Sequence, residues 1–209
     1  MKFVSLLSSG IDSPVATYLI SKKADEIILV HADNRPLTDD REINNFIKIA
    51  GFLKKQMACP VKIFLVPNGI ALKEYKQKCE NRFTCVFCKR MLLRYAEQIT
   101  LKENADAIIM GDSLGQVASQ TLQNIRTVEQ SIKTLVLRPL IGLDKEDVIR
   151  IAKEIGTYDL SILHSDGCIA VPKKPATSAK LEHILDEEKK LDVDLLVKNA
   201  INKSDLISL

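Results

Sequence analysis

The hexapeptide Ser8-Ser9-Gly10-Ile11-Asp12-Ser13 lies between an apolar run, Phe3-Val4-Ser5-Leu6-Leu7, and a stretch beginning Pro14-Val15-Ala16. The run reads as a buried strand and the stretch as a helix, with Ser13 expected at the N-cap and Pro14 at the first helical position. A turn of small residues at that junction exposes several backbone N–H groups beside the positive end of a helix dipole. That is an anion site, and most often a phosphate site. No Gly-Lys-Ser/Thr ending follows, which excludes an ordinary Walker A loop. A second segment, Gly111-Asp112-Ser113-Leu114-Gly115-Gln116-Val117-Ala118-Ser119-Gln120-Thr121-Leu122-Gln123-Asn124, crowds amides and hydroxyls directly behind a buried apolar run. Asx-type turns account for one or two of these residues; all of them together suit a nucleotide or base pocket. Cys85-Val86-Phe87-Cys88 opens a basic helix, where thiolates are expected to be stabilised. Asp144 reads as the cap of a helix with Val148, Ile151, Ala152 and Ile155 inward, which makes Lys145 its first residue. The dipole disfavours a cation there, so a phosphate partner is expected for it.

These groups need elements to position them. Glu26–His31, Val61–Val66 ended by Pro67, Ala107–Met110 closed by Gly111, and Thr134–Leu137 closed by Pro139 read as further buried strands. Helical runs alternate with them: residues 38–57 with Ile43, Phe46, Ile47, Ala50 and Leu53 on one face, one after Pro67, and a long one with Met91, Leu92, Tyr95, Ala96 and Ile99 inward. The pattern predicts an α/β fold, a doubly wound parallel sheet of five strands with helices on both faces. Ligands of such sheets sit beyond the carboxyl ends of the strands. The first loop, His31-Ala32, Gly111 and the loop after the fifth strand all fall there. The last thirty-odd residues read as one or two amphipathic helices packed on the domain. The expected division is residues 1–175 for the α/β domain and 176–209 for a helical extension.

With 46% apolar and 27% charged residues over 209 positions, the chain can bury a real core in one domain. No apolar stretch approaches a membrane span, so no membrane is expected as a partner. The first strand begins almost at Met1, so no signal peptide is expected. Five cysteines, an odd number, argue against a disulfide framework and for a reducing cytoplasm. The net charge of +3 is uneven: residues 176–209 carry 5 basic and 7 acidic residues, and the remainder 25 against 20. Within the remainder, Lys73, Lys76, Lys78, Arg82, Lys89, Arg90 and Arg94 face only Glu74 and Glu80. The cluster reads either as a phosphate or RNA contact or as a solvated helix face.

The Ser8–Ser13 loop resembles the PP-loop of the ATP pyrophosphatases (adenine nucleotide alpha hydrolase-like), usually Ser-Gly-Gly-x-Asp-Ser. Ser9 stands where that family has its first glycine, a departure that matters if the position needs positive φ or close approach to phosphate. The Gly111–Thr121 segment, with Leu137-Arg138-Pro139-Leu140 and Asp144-Lys145-Glu146, is similar to the tRNA 4-thiouridine sulfurtransferase, or thiamine-biosynthesis ThiI, family. Cys85-Val86-Phe87-Cys88-Lys89-Arg90-Met91 resembles its archaeal-type branch. The match runs through most of residues 4–177. It includes neither the family's N-terminal ferredoxin-like and THUMP domains nor the rhodanese domain of some members, which leaves the adenylation and sulfur-transfer domain alone.

The resemblance implies ATP binding by Leu6, Leu7, Ser8, Ser9, Gly10, Asp12, Ser13, His31, Ala32, Lys89, Gly111 and Gln120. Asp12 would lie beside the pyrophosphate, with Mg²⁺. Lys145 matches the essential lysine, and Cys168, in Ser165-Asp166-Gly167-Cys168-Ile169, the sulfur-transfer cysteine. Cys85, Cys88 and Cys168 then suit a [4Fe–4S] cluster with one open iron, a persulfide on Cys168 with Cys85 or Cys88 as disulfide partner, or zinc with a fourth ligand. Cys59 and Cys79 read as incidental thiols. The implied function is adenylation of a tRNA uridine and sulfur transfer to give 4-thiouridine, with a sulfur donor protein or sulfide as a further partner; a homodimer could restore RNA surface that one chain lacks, though no sequence feature demonstrates one. Two other readings stand beside it: sulfur transfer to a small acceptor such as a thiazole precursor, and a nucleotide-binding partner subunit without turnover, which Ser9 would favour.

Overall fold

The computed structural model describes residues 1–209. In chain order the elements are β1 (Lys2–Leu6), α1 (Asp12–Ser21), β2 (Glu26–Asp33), α2 (Asp40–Gln56), β3 (Val61–Pro67), α3 (Gly69–Lys78), α4 (Thr84–Glu103), β4 (Ala107–Ile109), α5 (Leu122–Glu129), β5 (Val136–Leu137), α6 (Lys145–Glu154), α7 (Tyr158–Ser161), α8 (Leu181–Glu188), α9 (Val193–Asn202) and β6 (Asp205–Leu206). One sheet runs in the order β5-β4-β1-β2-β3-β6. The five predicted strands are parallel, and β6 adds an antiparallel edge on β3, with Leu206 opposite Phe64. The expectation of a purely helical C-terminal segment is corrected here. After α8 and α9 the chain returns as a strand of two residues, too short to leave a period-2 signal.

Side-chain alternation along the strands feeds two cores. Val4, Leu6, Ile28, Val30, Ile108 and Met110 pack with α3, α4, α5, α8 and α9. Phe3, Ile27, Leu29, Ile63, Ala107 and Ile109 pack with α1, α2 and α6. Burial on both faces is why these strands read as continuous apolar runs. Successive connections from β1 run through β2 to β3 on one side, and β4 and β5 lie on the other. The order therefore reverses between β1 and β4, and a crevice opens at their carboxyl ends.

The C-terminal segment is fastened by buried charge. The Arg90 guanidinium, 1% exposed, donates Nε–H and Nη2–H bonds of 2.8 and 2.9 Å to the two oxygens of Glu188, and Nη1–H to the Thr127 carbonyl. Arg94 adds two bonds of 2.8 Å to the same carboxylate. Burial alone would raise the Glu188 pKa, but the hydrogen bonds from Arg94 and Arg90 outweigh it and hold the group at about 2. Arg90 and Arg94 are therefore spent internally, and for these two residues neither the phosphate or RNA contact nor the solvated helix face expected of the 73–94 cluster holds.

Glu188→Ala strands a buried guanidinium and is expected to cost about 3–5 kcal/mol, read as a lower urea midpoint at pH 7. The depressed carboxyl contributes stability above its unfolded pKa, and that contribution disappears as pH falls through the folded one. Wild-type stability should thus decline between the ordinary value of 4.5 and about 2. In the Glu188→Gln variant, urea titrations across that window should show a shallower decline.

Candidate active site

The phosphate-loop candidate is built by its own hydroxyls. The Ser8 N–H donates to Ser13 Oγ at 2.8 Å, and the Gly10 N–H donates to Ser8 Oγ at 3.3 Å. The N–H groups of Ser9, Ile11, Asp12 and Ser13 make no hydrogen bond within the chain, so they remain as donors at the start of α1. Helix α1 begins at Asp12 with Ile11 in the cap position and no side-chain cap, which corrects the assignment of Ser13 as N-cap. Ser13 braces the loop instead. Pro14 falls two residues later in the first turn than expected, where its missing N–H still costs nothing.

Ser9 does not have positive φ, which is confined to Asn104, Gly115, Gly156 and Gly167. Serine is therefore unstrained at this position, and the conformational objection to it falls away. Its hydroxyl donates to Glu42 Oε1 at 2.7 Å. Gly10 is open, with only Ser8 Oγ at 3.6 Å from where a Cβ would stand. At Gly111 a Cβ would meet Ser13 Cα and N at 2.7 Å, so the end of β4 touches the loop backbone directly.

A cavity of about 330 Å³ occupies the β1–β4 crevice. Of the residues assigned to ATP, Leu6, Leu7, Ser8, Gly10, Asp12, Ser13, His31, Ala32, Lys89, Gly111 and Gln120 line it; Ser9 does not. Sequence reasoning did not single out Val30, Asn34, Glu42, Leu92 or Met110, which also line it. The His31 ring is buried and stacks on Phe46 at 4.2 Å. Its Nδ1 lies 2.8 Å from the Leu7 carbonyl, which can only accept, so Nδ1 carries the proton. Burial lowers the His31 pKa. The ring is then neutral, and Nε2 is a bare acceptor with no partner in the chain; Gln120 Oε1 is another. Unmet buried acceptors at a cavity wall suit a ligand that brings N–H or O–H donors.

Asp112, behind Gly111, is buried and takes Lys89 Nζ at 2.6 Å and Arg138 Nε at 3.2 Å. Burial would raise its pKa, but Lys89 and then Arg138 outweigh that and lower it. The polar segment that follows divides in two. Ser119 and Gln120 face the cavity, whereas Asn124 is structural and bonds the carbonyls of Ala118 and Ala176. Asp144 caps α6 as expected, and Lys145 is its first residue. Lys145 Nζ meets Asp12 Oδ1 at 2.6 Å, across the mouth of the loop.

Cys85 and Cys88 lie within the first turns of α4. Burial pushes the Cys88 thiol up to about 12 and raises Cys85 as well; the negative charge of a Cys168 thiolate is the second cause in both. Thiolate stabilisation by the helix is thus overridden by desolvation. The charge of Cys168 is felt by both thiols, although some eighty residues separate it from them in sequence. Asn68 Nδ2–H donates to Cys88 Sγ at 3.6 Å.

The family described as "Thiamine biosynthesis protein (ThiI)" matches residues 1–193. A probable tRNA sulfurtransferase of Methanobrevibacter smithii is 40% identical over 205 residues, 98% of this chain and 54% of that protein. Its counterpart from Methanothermobacter thermautotrophicus is 41% identical over 203 residues, 97% of this chain and 52% of that one. The chain thus spans about half the length of the curated relatives it matches. Among solved structures, a 4-thiouridine synthetase–RNA complex with bound ATP superposes with a TM-score of 0.92 at 33% identity, covering 99% of this chain and 55% of that one. NMN synthetase from Francisella tularensis, at 14% identity and a TM-score of 0.57 over 96% of this chain and 84% of its own, shares the fold alone.

The two glycines make a contrast that thermal melts can check. Gly111→Ala must push backbone off backbone and is expected to cost about 1–3 kcal/mol. Gly10→Ala should leave stability within about 0.5 kcal/mol.

Proposed function

The chain belongs to the thiamine biosynthesis protein (ThiI) family, and on that premise we propose that it is an ATP-dependent sulfurtransferase that converts a tRNA uridine to 4-thiouridine. The observation that carries this reading is the cluster of free N–H groups on Ser9, Ile11, Asp12 and Ser13 at the sheet's switch point, with Lys145 and Asp12 paired across its mouth. The related 4-thiouridine synthetase holds ATP and RNA, which supports the same ligands here. ATP would lay its phosphates on that cluster and its adenosine along Leu6-Leu7 and His31-Ala32, where His31 Nε2 and Gln120 Oε1 await donors. No helix is long and apolar enough to cross a membrane.

The uridine C4 oxygen attacks the α-phosphorus and pyrophosphate leaves. Sulfur then attacks C4, and AMP departs with the original oxygen. Adenylation is needed because an amide-like oxygen leaves poorly and AMP leaves well. Lys145 makes a half-exposed ion pair of the kind that contributes little to stability, so it can transfer from Asp12 to the phosphates. The lysine and the loop N–H groups offset charge that grows on the departing pyrophosphate. Asp12, released, would hold Mg²⁺ against the phosphate oxygens. Cys85 and Cys88, one turn apart on α4, together with Cys168 would be the thiolates that hold a [4Fe–4S] cluster, and three ligands for four irons would leave a place for sulfide. Sulfide or a donor protein would deliver the sulfur. In this reading residues 1–175 form the PP-loop unit and residues 176–209 brace it.

Anaerobically purified protein is expected to catalyse ATP–pyrophosphate exchange only when tRNA is present. Exchange with a thiazole precursor alone, or with no acceptor tried, overturns the proposal. Lys145→Ala should lower that exchange by about 10²-fold or more while ATP affinity changes little. A broad visible absorption with bound iron is expected in the same sample. A colourless, iron-free protein eliminates the cluster and leaves Cys168 to persulfide chemistry.

A further inference from the structure

Asp39-x-x-Glu42 has the spacing of a capping box, in which the glutamate would turn back to the N-cap N–H. Only half of the box forms. Asp39 accepts the Glu42 N–H at 3.2 Å, but the Glu42 carboxylate reaches outward to two hydroxyls from distant parts of the chain. Oε1 accepts from Ser9 Oγ at 2.7 Å, and Oε2 accepts from Ser165 Oγ at 3.4 Å. Ser9 belongs to the phosphate loop, and Ser165 begins the segment that carries Cys168. The same end of α2 holds that segment twice more: the Asp166 N–H donates to Asp39 Oδ2 at 3.2 Å, and Arg41 bridges Asp39 and Asp166. Just upstream, the Leu37 carbonyl accepts the Ile169 N–H at 2.9 Å.

We propose that Glu42 is a positioning residue that couples occupancy of the phosphate loop to release of the Cys168 segment. The coupling rests on the reading of residues 8–13 as a polyphosphate site. The Ser9 hydroxyl has one proton to donate, and Glu42 receives it. A polyphosphate on the neighbouring N–H groups competes for that proton and sets like charge beside Glu42, which lines the same cavity. Glu42 is driven from Ser9 and loosens its hold on Ser165. The segment is thereby held back in the empty enzyme and freed once the nucleotide is in place. Glycine at position 9 would have no hydroxyl with which to report occupancy.

Hydrogen exchange read by mass spectrometry over residues 163–170, with calorimetry on the same holoprotein, tests the coupling. Saturating α,β-methylene-ATP with Mg²⁺ is expected to speed exchange there by about threefold or more, and adenosine, without phosphates, to leave it unchanged. The double variant Arg41→Ala/Ser165→Ala lies outside the nucleotide cavity. It should bind the analogue within about threefold of wild type, exchange fast even without ligand, and respond to ligand by less than about twofold. Analogue that binds by calorimetry yet leaves the wild-type segment unchanged or slows it overturns the coupling alone. Equal acceleration by adenosine overturns it as well. No binding of the analogue removes the polyphosphate reading and the coupling together.

Discussion

Asp112 is a buried carboxylate at the end of β4, and a charge in that position persists only when cations and hydrogen bonds replace its water. Lys89 reaches it from α4, and Arg138 reaches it from the end of β5 and continues to Glu129 of α5. One carboxylate thus fixes the relative position of four elements around the crevice. Its position is set in turn by Gly111, whose bare Cα lets the end of β4 touch the start of α1. Close approach of backbones and neutralisation of a buried charge are two parts of one constraint: moving either would open the cavity or leave an ion unpaired. Lys89 is an example of the consequence. Its ammonium lies at the cavity wall because Asp112 holds it there.

The parallel sheet was legible because burial on both faces produces apolar runs that need no periodicity, as in Ile27–Val30 and Ile108–Met110. The cavity lining was legible for a related reason: strand ends and a small-residue turn locate carboxyl-end positions by topology alone. What escaped reading depends on contacts between segments distant in sequence. Glu42 was not singled out because its two hydroxyl partners lie 33 and 123 residues away. Arg90 and Arg94 looked like a basic surface because Glu188, which neutralises them, lies almost a hundred residues on. The thiols of Cys85 and Cys88 looked activated from helix position alone, and only burial reveals that desolvation prevails. Ser13 was placed one structural role away from its actual one. It looks like a cap, and it serves the loop that precedes the helix.

Ser9 shows how a departure from a motif can be neutral in one respect and informative in another. The backbone there does not require glycine, so the substitution costs no conformational strain. The added hydroxyl finds a carboxylate across the crevice, and α2 gains a direct link to the phosphate loop that a glycine could not make.

The first turns of α4 gather the separate requirements of the site. Successive helical residues turn by about 100°, so Cys88, Lys89 and Arg90 must face three different ways. Cys88 faces Asn68, Lys89 faces Asp112 over the cavity, and Arg90 faces Glu188 of the C-terminal extension. Two ion pairs on neighbouring residues pin the helix against rotation about its axis, one from the sheet side and one from α8. The direction of the thiol is then no longer free. Glu188 is remote from the cavity, yet it helps decide where the Cys85 and Cys88 thiols point. The C-terminal segment thus contributes to the site by holding α4 in register, which explains why a buried ion pair, rather than an apolar contact alone, joins it to the domain: a bidentate guanidinium fixes an angle that aliphatic packing would leave loose.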